Sequence, residues 1–379
     1  MIARLGKARG GTLSGPGGSP WHAARRWTAG AVVGALAMLP IGGPPTYAQE
    51  KPLRIGALIL GPRKMPAWHC GPRDPRQAVA EPRPDAMDAG ILGLRDELEK
   101  LGYVADRPDS REKPGRRFVL DVRQGTLEAV RRFAQQFAQE RVDLIIAVAS
   151  SVVRAAQEAT QANPIPILFT NISNPVGDGF AQSLSRPGGS ITGISTQLIQ
   201  GSGKRVEVFK EMVPSVKRLL APYQPDFVVA QHSMVEMRAA AARLEISLQE
   251  RHVKSRTDLE AVLSDVRRGS TDGIIIPVDA VTTANIDLVL EKSLEQRVPA
   301  FGILDFMAEW GALGAYGPSP SQAGRRVAHY VDKIVKGAKP GDLPVEPLDP
   351  TFVVNLKAAA CLGVSVPPAV LHQADRVIR

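Results

Sequence analysis

The stretch DLIIAVASS at 143–151, followed after one helical segment by NPIPILFTNISNP at 163–175, is echoed by DGIIIPVDAVTT at 272–283 and VPAFGILDF at 298–306. In each copy a short apolar run gives way to small or polar residues, the pattern of a strand covered on both faces that leads into a helix. A pattern that occurs twice predicts two lobes of similar plan. Outward from these copies, apolar runs at 53–60, 118–122, 165–169, 191–194, 227–230, 273–277 and 300–304 alternate with amphipathic segments. That alternation predicts an α/β fold whose parallel sheets carry helices on both faces. Met87, Ile91, Leu94, Leu98 and Leu101 share one helical face between Asp85 as cap and Gly102 as stop. A second helix starts after Thr126, and a third after Ser202, ended by Pro214.

In open α/β sheets, ligands lie outside the carboxyl ends of the strands, where helix N-termini direct unpaired N–H groups. The polar residues that follow the strands are therefore the candidates: Ser150, Ser151, Asn171, Ser173 and Asn174 in one half, and Asp279, Thr282, Thr283 and Asp305 in the other. Each of them taken alone also reads as a helix cap or turn former. Their pairing on equivalent loops of two lobes favours a small solute held in a cleft between the lobes. A carboxylate such as Asp279 can neutralise a ligand ammonium, and Ser150 and Ser151 at a helix start suit a ligand carboxylate. In the Pro- and Arg-rich loop 61–84, Trp68 can stack on a ligand or simply anchor the loop.

The first 48 residues read as a secretory leader. Arg25 and Arg26 close an acid-free basic segment, the 14 residues from Thr28 to Ile41 are apolar, and small residues end at Ala48. A run of that length is short for a membrane crossing, which takes about 20 apolar residues. The expected location is the periplasm, with cleavage near Ala48, and the arginine pair fits either the general or the twin-arginine route. Losing five cations and no acid lowers the formal charge from +9 to +4. So small a charge gives no footprint for nucleic acid, and the cluster Arg107, Arg111, Lys113, Arg116 and Arg117 is broken by Asp and Pro. Six scattered histidines provide no metal-ligand spacing. Neither the number nor the spacing of Cys70 and Cys361 demands a disulfide.

Catalytic strings fail on inspection. Gly201-Ser202-Gly203-Lys204 lacks the preceding Gly of a phosphate loop, Arg205 replaces the Mg²⁺-binding hydroxyl, and Val206 stands where a dinucleotide fingerprint needs its third Gly. The string at 193–197 lacks the closing Gly of a nucleophile elbow. The expected protein is not an enzyme and uses no cofactor.

From Gly311 to the C-terminus, GALGAYGPS (311–319), YVDKIVKGAKPGDLPVE (330–346) and FVVNLKAAACLGVSVPPAVLHQADRVIR (352–379) resemble the substrate-binding proteins of ABC transporters related to tryptophan and tyrosine binders. Upstream, LGYVADR, PIPILF, NPVGDGFAQSLSRPGGSITGIST and SGKRVEVFKEMVP agree in order and spacing, so the likeness spans about 91–379. The resemblance implies the type I periplasmic binding protein architecture, two Rossmann-like lobes joined by three crossovers around a ligand cleft. It puts residues 53–213 plus 312–337 in one lobe and 216–308 plus 345–379 in the other, with hinges near Ser215 and Gly311. It also implies pocket roles for Ser150, Ser151, Asn174 and Asp279. Asn174 stands where such proteins commonly carry Asp, which removes a charge that could hold an amine. Pro222 and Pro225 interrupt the first strand of the second lobe, which is therefore expected to be short, shifted or at an edge. The function implied is capture of a small molecule, such as an aromatic amino acid or related organic acid, by lobe closure, and delivery by a monomeric receptor to a permease in the inner membrane. A periplasmic sensor that presents its ligand to a membrane signalling protein is the alternative.

Overall fold

The computed structural model describes residues 51–60, 64–65, 83–84, 86–110, 113–196 and 198–379. The leader and Trp68 lie outside these residues. The chain forms β1 (Leu53–Leu60), a two-residue ladder of β2 (Lys64–Met65) with β3 (Arg83–Pro84), α1 (Ala86–Lys100), β4 (Tyr103–Ala105), β5 (Arg116–Gly125), α2 (Leu127–Glu140), β6 (Leu144–Val148), α3 (Ser150–Thr160), β7 (Ile167–Ile172), β8 (Ile191–Thr196) and α4 (Gly201–Met212). It continues through β9 (Arg218–Tyr223), α5 (Val228–Arg243), β10 (Ser247–His252), α6 (Arg256–Ser264), β11 (Gly273–Ile275), α7 (Ala280–Ala284), α8 (Ile286–Gln296), β12 (Ala300–Gly302) and α9 (Asp305–Glu309). Then follow β13 (Gly314–Gly317), α10 (Pro320–Val335), β14 (Glu346–Leu348), β15 (Thr351–Asn355), α11 (Leu356–Leu362), α12 (Pro368–Gln373) and β16 (Arg376–Ile378).

Two seven-stranded sheets result, in the orders β14-β8-β7-β6-β1-β5-β4 and β10-β9-β11-β12-β13-β15-β16. The first is parallel throughout, and the second is parallel except where β13 meets β15. The central strands are apolar on both faces because both faces are covered. Val130, Phe137, Val152 and Ala156 of α2 and α3 pack on one side of the first sheet, and Leu94, Leu98, Val327 and Val331 of α1 and α10 on the other. Phe209, Met234, Met237 and Leu362 cover one face of the second sheet, and Leu259, Val289, Leu290 and Met307 the other. Thr126 caps α2 by accepting the Ala129 N–H at 3.3 Å.

Sheet membership corrects the lobe boundaries implied by resemblance. β13, placed with 312–337 in the first lobe, is hydrogen-bonded between β12 and β15 of the second sheet. α4, placed in the first lobe, buries Val206, Phe209 and Met212 against Leu219 and Ile275 of the second. Conversely β14 pairs with β8 of the first sheet, Glu346 opposite Ile194. The chain therefore passes between sheets at residues 198–200, 318–319 and 349–350, not at Ser215 or Gly311, which lie in turns inside the second lobe.

Two strand expectations are also corrected. The apolar run 227–230 opens α5, while the strand is β9, second from the sheet edge. β9 includes Pro222, which the sheet tolerates because pairing with β11 stops at Leu220 opposite Ile274, leaving Pro222 bonded on one side only. Cys361 on α11 is disulfide-bonded, a pairing that the spacing did not demand. Among the described residues, no helix is long and apolar enough to cross a membrane.

α10 leaves the second sheet at β13 and lies against α1 on the first. The two backbones approach so closely that a Cβ on Gly324 would run into the Gly90 carbonyl, and one on Gly93 into that of Ser321. Gly324→Ala is expected to lower unfolding stability by about 1–3 kcal/mol through overpacking. Denaturant titration measures it, and an unchanged midpoint would show that the helices can move apart freely.

Candidate functional site

Three strands of the first sheet, β6, β7 and β8, end side by side, and each end is irregular or polar. After β6, Ala149 takes φ 84° and ψ 150°, a conformation rare outside glycine, before α3 begins at Ser150. Near the end of β7, Asn171 adopts φ 59°, the left-handed region that Asn tolerates better than most residues, and the pairing with β8 shifts register there. β8 ends at Thr196, which is buried.

These ends form the floor of a cavity. Ile146, Val148, Thr170, Asn171 and Thr196 come from the strands, Ile91 and Leu94 from α1, Ala323 and Val327 from α10, and Leu304, Pro318 and Ser319 from the second lobe and the crossing segment. About 60 Å³ is open to water-sized occupants. The walls are mostly apolar, yet Asn171 Oδ1 and Thr196 Oγ1 are buried there without a hydrogen-bond partner. An unsatisfied buried polar atom costs about 1–3 kcal/mol, so two of them at one cavity mark a place that a polar guest would complete.

Asp305, first residue of α9, follows the cavity-lining Leu304, and Ser319, another lining residue, acts on its charge. Desolvation raises its pKa from the ordinary carboxylate value, and the Glu309 charge adds to the rise. The Ser319 hydroxyl, the charge of Arg376 and the Phe306 N–H oppose it. The arrangement offers a carboxylate, an amide oxygen and a hydroxyl to a guest that donates hydrogen bonds and carries an apolar body.

The other sequence candidates stand elsewhere. Asp279 is buried, its Oδ1 accepts the Thr282 N–H and its Oδ2 the Gln224 N–H, both at 2.7 Å, so it caps α7 and anchors the loop after β9. Thr282 Oγ1 donates to the Pro222 carbonyl at 3.0 Å. Neither side chain lines the cavity. Ser150 Oγ donates to Asp178 Oδ2 at 2.7 Å, Ser151 is exposed, and Asn174 Oδ1 accepts the Gly177 N–H at 3.0 Å in a turn. The structure thus puts Asn171 on the cavity and Asp305 next to its lining residue Leu304, and it adds Thr196 and Ser319, which the sequence reading left out. Thr196 follows an apolar strand run as Asn171 does, so the same rule could have found it. Ser319 and the α10 residues enter only because the chain crosses between sheets.

Two α/β lobes joined by three crossing segments, with a cavity at the strand ends, define a type I periplasmic binding protein. The family of ABC transporter substrate binding proteins matches residues 82–378, and this chain belongs to it. A tyrosine-binding protein of Clostridioides difficile (strain R20291) is 24% identical over 257 residues, covering 67% of this chain and 73% of the relative. Among solved structures, the ABC domain in complex with L-Trp from Streptococcus pneumonia superposes with a TM-score of 0.65 at 22% identity, covering 86% of this chain and all of that one. A conserved domain protein from Vibrio cholerae gives 0.66 at 26% identity, with the same coverage.

Asp305 generates a stability prediction with a definite sign. A carboxyl whose folded value is raised stabilises the fold while protonated and loses that contribution as pH rises through the folded value. Asp305→Asn is therefore expected to raise the melting temperature at pH 7, with the gain shrinking as pH falls through the raised folded value and gone below 3.8, the ordinary value. Thermal melts across pH measure this, and a variant less stable than the parent at pH 7 contradicts it.

Proposed function

We propose that this chain is the exported solute receptor of an ABC importer, capturing in the periplasm a small molecule with an ammonium and an apolar body and delivering it to an inner-membrane permease. An aromatic amino acid or a related organic acid is the proposed class; it enters as the lobes part, because the cavity as it stands has about 60 Å³. The observation that carries this reading is the pair of unpartnered buried atoms, Asn171 Oδ1 and Thr196 Oγ1, in an apolar cavity beside Asp305. The tyrosine-binding relative and the neighbour complexed with L-Trp support it.

In this reading Asp305 pairs with the ammonium, Asn171 and Thr196 complete its hydrogen bonds, and the aliphatic side chains of α1 and α10 receive the apolar part. The exposed N-terminus of α3 at Ser150 and Ser151 faces the ligand carboxylate. Asp279 and Thr282 act on the second-lobe side by holding the loop that closes over the ligand, with Asn174 at the rim. Closure follows when the ligand makes more contacts with the closed than with the open lobes. The same cleft turns over no substrate, and the receptor works as a monomer.

Calorimetry with L-tyrosine and L-tryptophan tests the proposal. A dissociation constant near 1 μM corresponds to about −8 kcal/mol. Asn171→Ala is expected to weaken binding about tenfold, and Asp305→Asn by more, since it loses the charge as well. Binding of neither amino acid, or full affinity in both variants, contradicts the assignment.

A further inference from the structure

Arg205, in the second turn of α4, is among the largest fully buried side chains of the described residues. No carboxylate pairs with it among the described residues. Burial pulls its guanidinium down to about 9, which leaves it cationic at neutral pH. The charge is met by dipoles instead. Nη2 donates to the Leu198 carbonyl and to Ser202 Oγ, both at 2.7 Å, and Nη1 donates to the Tyr316 carbonyl at 3.3 Å. Leu198 belongs to the first crossing between the lobes, and Tyr316 lies at the end of β13, immediately before the second. Gly201 leaves room for the group, since a Cβ there would stand 3.2 Å from Nη1.

The hydrogen bonds do not stop at the crossings. Ser202 Oγ lies 2.9 Å from Ser233 Oγ on α5, and Ser233 Oγ accepts the Val278 N–H at 3.1 Å. Both hydroxyls are buried. Val278 precedes Asp279, whose carboxylate caps α7 and grips Gln224, so the chain of bonds ends in the second-lobe loop at the carboxyl end of β11. One buried cation thus joins two interlobe crossings to the loop that follows β11.

We propose that Arg205 is a positioning residue: through Ser202 and Ser233 it fixes the Val278–Thr282 loop to the crossings, so that lobe closure carries the second-lobe loop after β11 with it. The inference rests on the two-lobed solute-binding reading above. Dipole solvation of a buried charge is strongest when the dipoles are fixed, and a shared network makes the displacement of one member felt by the rest. The crossings and the loop therefore move together or not at all.

Hydrogen exchange of the ligand-free protein tests this. In Arg205→Met, exchange across 278–282 is expected to be about tenfold faster, the equivalent of one lost hydrogen bond, while the strands of the first sheet keep their protection. Arg205→Lys, which can still reach the Leu198 carbonyl and Ser202, is expected to restore most of it. Should Arg205→Met fail to fold, Ser202→Ala cuts the same path with a smaller change and gives the same reading. Parental exchange at 278–282 in a folded variant, or equal acceleration throughout both sheets, overturns the proposal. Because no ligand enters the measurement, failure of L-tyrosine to bind would count against the functional reading alone.

Discussion

Contact between the backbones of Gly90 and Gly324 is the constraint on which the rest depends. α10 starts from the second sheet, yet packs on the first, and only a pair of helices that meet without side chains between them can lie so close. This contact gives the cavity its apolar wall, since Ile91 and Leu94 sit on one helix and Ala323 and Val327 on the other. It also brings Ser319, at the start of α10, close enough to Asp305 to act on its charge. One packing contact therefore fixes both the shape of the pocket and the position of its charge.

The polar atoms of the site follow from how strands end. Inside a parallel sheet every backbone group is paired, so a side chain can be left over only where pairing stops. Asn171, in a left-handed conformation at a register shift, and Thr196, at the last residue of β8, occupy such places. Asp279 sits at an equivalent point of the second lobe, but there the neighbouring N–H groups of Thr282 and Gln224 are free, and the carboxylate satisfies them. The same residue type at the same topological position can thus serve the backbone or a ligand, and the number of unpaired donors nearby decides which.

That distinction marks what could be read from sequence. The central strands β1, β6, β7 and β8 were legible because both of their faces are buried, which makes them continuous apolar runs. Ser247–His252, with its charges, and the three-residue strands Glu346–Leu348 and Arg376–Ile378 lie at or near sheet edges, where half-exposed faces erase that signal. The run 227–230 was misread because four apolar residues fit a strand or a helix equally well. At the site, the rule of strand ends picked out Asn171, which lines the cavity, and Asp305, next to the lining residue Leu304. It could not say that Asp279 is occupied, since Gln224 reaches it across 55 residues of chain.

A co-crystal structure with L-tyrosine or L-tryptophan tests the central claim most directly. The account predicts the ammonium of the ligand between the Asp305 carboxylate and Asn171 Oδ1, with its ring against Ile91, Leu94, Ala323 and Val327. A ligand held elsewhere, with Asn171 Oδ1 and Thr196 Oγ1 still unpaired, would contradict it.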